Sequence, residues 1–432
     1  MSKKVAIIGG GISGLSAAYF ALVKAYSVNL YESSDRLGGL AASFDFNGLT
    51  IEKYYHFICG GDHNLIEFAR QLGISDKLQF QPTKTAYYYN GRYYPFAAPL
   101  DLLRFSPISL KSRFKFGLNV IYSKYTDKWE KLDEISGKEW LLRRIGETAY
   151  NVIWHPLLKI KFGNYYDRIS AAWVWHRIHR VATSRKGPFS KEKMGYFEGG
   201  SQTLINEVKN KIKELGGSIH LNSKIKNITK KNNILQLILD SGSQFDFDRI
   251  VLAVPLPISA QIIKTIDLDY SSQLSSIDFL GIVCGIIRLR EKVTDAFWLN
   301  INDSRIAATG LIEYTNLNPL KEISPHKIVY IPFYVPIDDR WFSMDEESIR
   351  SEFFNMLKII RPSLIESDIV DFRAFKSPHA QAICTTGFKD KMPLVKTPIK
   401  NLFLLDSTQV YPSDRTLSAL IGLAEEMVEE NF

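Results

Sequence analysis

Three glycines between an apolar run and an apolar helical pattern constrain this chain more than any other feature. Val5 to Gly9 reads Val-Ala-Ile-Ile-Gly, an unbroken apolar run ended by glycine. That is the pattern of a short strand buried on both faces. Apolar residues at helical spacing follow from Leu15 to Lys24, and Ser27 to Glu32 reads as a second strand. Gly9, Gly11 and Gly14 occupy the turn between strand and helix in GxGxxG spacing. In such a βαβ unit the first glycine permits the tight turn, and the second lets backbone approach a pyrophosphate. The third lets the helix close on the strand. The helix start adds free N–H groups and a partial positive charge. Gly9, Gly11, Ile12, Ser13 and Gly14 are therefore the expected pyrophosphate contacts. Glu32 ends the second strand 18 residues past Gly14. A carboxylate there accepts hydrogen bonds from ribose hydroxyls and repels a 2′-phosphate, which argues against NADP. These residues alone leave open a nicotinamide or a flavin dinucleotide.

At 432 residues the chain is too long for one ordinary core, so two domains are expected. A second α/β pattern runs from a helix between two glycine pairs, Gly199-Gly200 and Gly216-Gly217, into SIHLNSKIKNI, ILQLILDSG and FDRIVLAVP, each read as one strand. A last strand, NLFLLD, precedes an apolar helix from Leu417 to Val428. Residues 1–86, 195–266 and 398–432 then form a discontinuous nucleotide-binding domain. Residues 87–194 and 267–397 form a second domain inserted twice, helical and aromatic first, strand-rich later. The expected class is α/β, a Rossmann-like domain carrying an inserted α+β substrate domain.

ESSDRLGGLAASF, Glu32 to Phe44, continues past the acidic residue with Arg36 and the pair Gly38-Gly39. Here the sequence resembles the FAD-dependent amine oxidases, protoporphyrinogen oxidases and phytoene desaturases. FEGGSQTLINEVKNKIKELGGSIHLNSKIKNI is similar to their Gly-Gly-helix-strand segment, and NLFLLDSTQVYPSDRTLSALIGLAEEMV to their C-terminal flavin segment. The resemblance covers roughly half of the chain and implies resident FAD. It implies cofactor contacts at Glu32, Arg36, Gly38, Gly39, Ile225 (through backbone to adenine), Asp406, Arg415 and Thr416. Leu405 replaces the usual glycine beside Asp406, and Asp414 could serve only as a helix N-cap.

The resemblance also sets EKYYHFI, Glu52 to Ile58, beside the flavin, with EYTNLNP and FRAFKSPHAQ as further cavity segments. Candidate catalytic residues are His56, Tyr55, Tyr314 and Arg373, with Tyr54, Asn316, His379 and Gln381 as further lining. His56 reads either as a proton relay or as a packed, hydrogen-bonded core histidine. Cys384, in AICTTG, is loosely similar to the cysteine that links flavin in monoamine oxidases, at a different spacing. GIVCGIIRLR lacks the lysine that amine oxidases hold near the flavin, with Val283 or Cys284 at that place. The implied function is hydride transfer between an apolar or lipid-like substrate and FAD. Two alternatives stay open: a flavin-dependent isomerase similar to the UDP-galactopyranose mutases, and an FAD-binding protein without turnover.

Composition narrows the partners. The formal net charge is +8, concentrated between Arg104 and Lys193, where 19 Lys and Arg face 8 Asp and Glu. Five of the seven Trp lie there too. A basic, Trp-rich segment suits an isoprenoid or lipid-phosphate substrate and peripheral contact with the inner face of a membrane, or is a solubilising surface. No recognition motif accompanies the charge, so nucleic acid is not expected. Three scattered cysteines and the short stretch before the first strand lead us to expect a cytoplasmic protein with reduced thiols. His176 and His179 are spaced i, i+3 among Trp and Arg, which reads as a basic helix face, so no metal is expected.

Overall fold

The computed structural model describes residues 3–183, 193–231 and 234–432. A five-stranded parallel sheet runs in the order Ser218–His220, Ser27–Tyr31, Lys4–Ile8, Arg249–Leu252, Leu402–Leu404. Its strands come from three separated stretches of chain. Lys4–Ile8 is central, and alternation along it serves two cores. Val5 and Ile7 pack against the Ile12–Val23, Ser201–Glu214 and Leu417–Asn431 helices. Ala6 and Ile8 face the opposite layer, where Leu237 and Phe247 belong to a three-stranded antiparallel sheet. Both faces are covered, which explains the unbroken apolar run. Each fully buried aliphatic side chain there stabilises the fold by roughly 1.5–3 kcal/mol.

Two expected strands divide. SIHLNSKIKNI splits at Asn222, which takes a left-handed conformation at φ 51°. Ser218–His220 joins the parallel sheet, and Ile225–Lys231 joins the antiparallel one. Asparagine tolerates that conformation better than most residues. FDRIVLAVP breaks at Asp248, whose carboxylate accepts from the Lys4 N–H at 2.7 Å and so ties the break to the first strand.

A seven-stranded sheet is ordered Ile369–Ala382, Phe279–Leu289, Lys327–Val335, Gly310–Glu313, Trp298–Asn302, Thr85–Tyr89, Arg92–Pro95. Against it lies a helical layer that includes Leu110–Tyr125, Gly137–Ile145, His155–Phe162 and Ala171–Thr183. Trp140, Trp154, Trp173 and Trp175 are buried in the core of this layer. The tryptophans therefore do not make an interfacial belt. The exposed apolar residues are others: Leu110, Phe114, Leu118, Ile121 and Tyr125 recur every three or four residues along one helix, with Leu110 71% and Tyr125 79% exposed. The opposite face, with Phe116, Asn119 and Ser123, is buried. Part of the basic segment, 184–192, lies outside the described residues. Among the described residues, no helix is long and apolar enough to cross a membrane.

Candidate functional site

A cavity of about 800 Å³ opens where the parallel sheet ends and runs toward the helical layer. Its outer end is built from backbone. Gly9 has φ +109°, and a Cβ there would stand 2.3 Å from the Ala253 carbonyl. A Cβ on Gly14 would fall 1.9 Å from the Gly9 carbonyl, so this glycine lets the helix meet the strand. A Cβ on Gly11 would meet nothing within 4 Å, because it would project into the cavity. The three positions thus divide the work as their spacing implies. Gly38, at φ +114°, lays its segment beside the loop: its N–H donates to the Gly10 carbonyl at 2.8 Å. A Cβ on Gly39 would come within 3.3 Å of Gly11 Cα. Ile12 and Ser13 line the cavity at the helix start, where no side chain caps the free N–H groups. Glu32 also lines it. Its carboxylate accepts from the Gly10 N–H at 2.7 Å and the Ser34 N–H at 2.8 Å. A carboxylate has further lone pairs for ribose hydroxyls. Ile225 lines the same end.

Midway, Asp406 is buried and accepts from the Thr408 N–H at 2.8 Å. Burial lifts its pKa to about 6 against that hydrogen bond. Leu405 beside it is part of the wall.

The inner end is built from side chains. Tyr54, Tyr55, His56 and Phe57 follow a strand pinned by Glu52, whose carboxylate accepts from the Ser201 N–H at 2.8 Å. The Glu52 carbonyl also accepts from the Tyr330 hydroxyl at 2.8 Å. His56 Nδ1 is buried without a hydrogen-bond partner. Burial lowers the His56 pKa below its ordinary value, opposed by the nearby Glu52 charge, so the ring is neutral at pH 7. Burial raises both Tyr54 and Tyr55 above the usual phenol range, so they stay protonated. Trp298, Tyr334 and His379 complete the wall with Arg177, Arg180, Asp414, Arg415 and Thr416. Asp414 pairs with Arg177 at 3.2 Å and Arg180 at 3.4 Å. Those cations hold its carboxyl well below the usual range despite burial. Thr416, not Asp414, caps the last helix, accepting from the Ala419 N–H at 3.0 Å. Arg415 donates to the Tyr334 hydroxyl at 3.0 Å.

Several expected residues stand elsewhere. Arg373 lies on an exposed strand, where its guanidinium turns to Glu346 at 3.4 Å and does not reach the cavity. Tyr314 is buried behind the wall, its hydroxyl 3.5 Å from Glu52. Asn316 donates to the carbonyls of Thr294 and Ala296. Gln381 is buried outside the lining. Arg36 donates to the Ser43 carbonyl at 3.0 Å and braces the loop from outside the lining, as Gly14 does by packing. Cys384 is buried off the cavity, and burial pushes its thiol pKa up, which fits poorly with a covalent link. The sequence reading missed Arg177, Arg180, Trp298 and Tyr334. Arg177 and Arg180 are spaced i, i+3 with Trp173 one turn earlier, so the pattern of one helix face was there to be read.

Together these features fit a dinucleotide whose reactive ring reaches the inner end. Glycines leave room for the phosphates, a helix start faces them, and an acidic residue stands at the ribose position.

Residues 12–409 match the family described as flavin containing amine oxidoreductase. The chain is similar to the 15-cis-phytoene desaturase of Synechococcus elongatus, at 23% identity over 97% of this chain and 93% of that protein. Its fold is similar to that of a reduced UDP-galactopyranose mutase, with a TM-score of 0.76, 14% identity and coverage of 99% and 96%. It is also similar to that of wild-type putrescine oxidase bound to putrescine, with a TM-score of 0.73, 15% identity and coverage of 100% and 99%. With its family matched over most of its length and its cavity shaped for the dinucleotide, this chain belongs to the flavin containing amine oxidoreductases and is an FAD-dependent oxidoreductase.

Proposed function

We propose that the protein oxidises or reduces a largely apolar, lipid-like small molecule whose reacting carbon lies against His56 and Tyr55. When bound, FAD supplies the two-electron partner for hydride transfer. The chain supplies the rest. Tyr54, Tyr55, Phe57 and Trp298 form an aromatic surface that orients an apolar body and excludes water. His56, neutral and with Nδ1 free, takes or returns the proton that accompanies the hydride. The helix start at Thr416 favours negative charge beside it. The two inserted stretches, 87–194 and 267–397, act in this reading as the substrate-binding domain, and the other three stretches as the FAD-binding domain.

The observation that carries the proposal is His56, the histidine of the inner wall with a buried, unpartnered ring nitrogen among aromatic side chains. The phytoene desaturase relative supports an apolar substrate. The exposed stripe Leu110, Phe114, Leu118, Ile121 and Tyr125, flanked by exposed Lys111 and Lys115, supports docking on an anionic lipid surface. That helix packs on Ala171–Thr183, with His179 Nδ1 2.7 Å from the Ser123 carbonyl, so the lipid-facing layer adjoins the helix that lines the cavity. The test is anaerobic mixing of the FAD-loaded protein with a panel of polyenes, hydroporphyrins and prenyl compounds. Bleaching of the flavin band by one of them is expected. No spectral change with any apolar compound, together with bleaching by a hydrophilic amine, would overturn the proposal.

A further inference from the structure

We infer that the inner end of the cavity also binds an acidic group of the substrate, a phosphate, diphosphate or carboxylate ending an apolar body, through Arg177 and Arg180. This rests on the oxidoreductase reading only for what lies beside the group. The two arginines leave the Ala171–Thr183 helix one turn apart and line the same wall. Arg177 lies over the Trp173 ring at 4.1 Å, which fixes the plane of its guanidinium. Its Nε is buried and has no hydrogen-bond partner. Arg180 stands 5.6 Å from the Phe57 ring and pairs with Asp62 at 3.5 Å. Arg415 lies in the same wall, and Lys161 is buried just behind it with Nζ 4.2 Å from the Tyr334 ring.

Asp414 and Asp62 balance only part of this charge. Burial and the neighbouring arginines push the Lys161 ammonium well below its ordinary pKa, so Lys161 sheds charge first and the arginines keep theirs. One carboxylate, Asp414, is shared by Arg177 and Arg180. Three half-buried guanidinium groups, Arg177, Arg180 and Arg415, thus share two carboxylates, an excess of positive charge that an anion would balance, and the planar fork of Arg matches phosphate or carboxylate oxygens in pairs. The flavin phosphates have separate provision at the glycine end. A long apolar chain with an acidic end would then lie along the aromatic wall with its reacting carbon at a fixed distance from the anchor.

The test titrates FAD-loaded full-length protein with farnesyl diphosphate, farnesoic acid and farnesol, following flavin absorbance and Trp fluorescence. At least one acid should bind ten times or more tighter than the alcohol, and the better acid tells phosphate from carboxylate. Arg177→Gln should weaken that acid at least tenfold and leave farnesol unchanged, whereas Arg177→Lys keeps part of the affinity. Flavin content and melting temperature of both variants check folding. Equal binding of acids and alcohol, or no saturable binding of either acid, would overturn the inference. So would a variant that shifts the flavin midpoint potential but not acid affinity, because the charge would then serve the reduced cofactor. Fluorescence reads the acid without turnover, so absence of FAD or of flavin bleaching would count against the oxidoreductase reading and not this one.

Discussion

The two ends of the cavity are made of different material. The glycine end centres on a turn, a helix start and the Gly38-Gly39 segment, all within the first 39 residues and joined by Ile225, and it offers backbone beside the carboxylate of Glu32. The inner end takes side chains from Lys53–Phe57, from a helix more than a hundred residues later and from Asp414–Thr416. A backbone site needs only space and the right turn, so one glycine position can abolish it. A side-chain site needs several stretches of chain to converge, and a single substitution changes its chemistry without disturbing the other end. On the proposed function, the cofactor would be held by what the fold provides, and the substrate by what this chain adds.

The sharpest way to break that comparison is Gly11→Val. The new side chain projects into open cavity, so the apoprotein should melt within about 2 °C of apo wild type while bound flavin falls to background. Gly14→Ala is the counterpart: its Cβ collides with the Gly9 carbonyl and should cost about 1–3 kcal/mol of stability. If Gly11→Val retained FAD, the outer end would not be the phosphate seat.

His56→Gln should do the opposite, keeping FAD and slowing substrate-driven flavin reduction by about 10²-fold, within the usual range for a lost acid–base group. In wild type the rate of a proton-accepting step should hold at neutral pH and fall only at a more acidic pH than an ordinary histidine would give, because burial lowers the His56 pKa. Stopped-flow reduction at several pH values reads both effects. An unchanged rate would return His56 to a packing role.

The helix that carries Arg177 and Arg180 should also give the fold a pH dependence of stability. His176 is half-buried beside Arg177, Arg180 and His179, and desolvation drops its pKa to about 4, opposed by Asp414. The unfolded chain takes up this proton near pH 6.5 and the folded chain only near pH 4. Stability is therefore lost as pH falls through that window, by at most about 3 kcal/mol and by less because the ring is partly exposed. Denaturant unfolding of wild type and His176→Gln from pH 7 to 4 measures it. The variant should lose less stability across the window, and parallel curves would contradict the assignment.

The smallest expected effect lies at the surface. Phe114→Glu with Ile121→Glu should reduce co-sedimentation with anionic vesicles about fivefold and leave flavin content and melting temperature unchanged, since both side chains are exposed. Binding of wild type should also weaken with salt, as attraction of the exposed lysines is screened. Equal recovery of wild type with neutral and anionic vesicles at low salt would contradict lipid docking.

How much of this was legible in the sequence follows the same division. Gly9, Gly11, Gly14 and Glu32 could be read directly, because each obeys a local rule about turns, close approach or hydrogen bonding, whereas the Gly38-Gly39 pair was legible only through the family resemblance. The strand breaks at Asn222 and Asp248 were hidden by one polar residue inside an otherwise regular pattern. Counting Trp in the basic segment misled, because composition does not say which face of a helix meets the core: four of the five are packed inside, and Leu, Phe and Ile take the outside. Arg177 and Arg180 looked like a solvated basic face until the fold set that face against Asp414. Arg373 looked like a cavity residue for the converse reason, because position along a strand did not reveal that its side chain turns to Glu346.

The measurement that tests the account most directly is the cofactor of the wild-type protein purified without added flavin. Acid precipitation, chromatography of the supernatant and a spectrum of the intact protein should show FAD at about one per chain, released in full, with the bound form bleached by two electrons. A colourless, folded protein that takes up NAD and not FAD would contradict the account at its root.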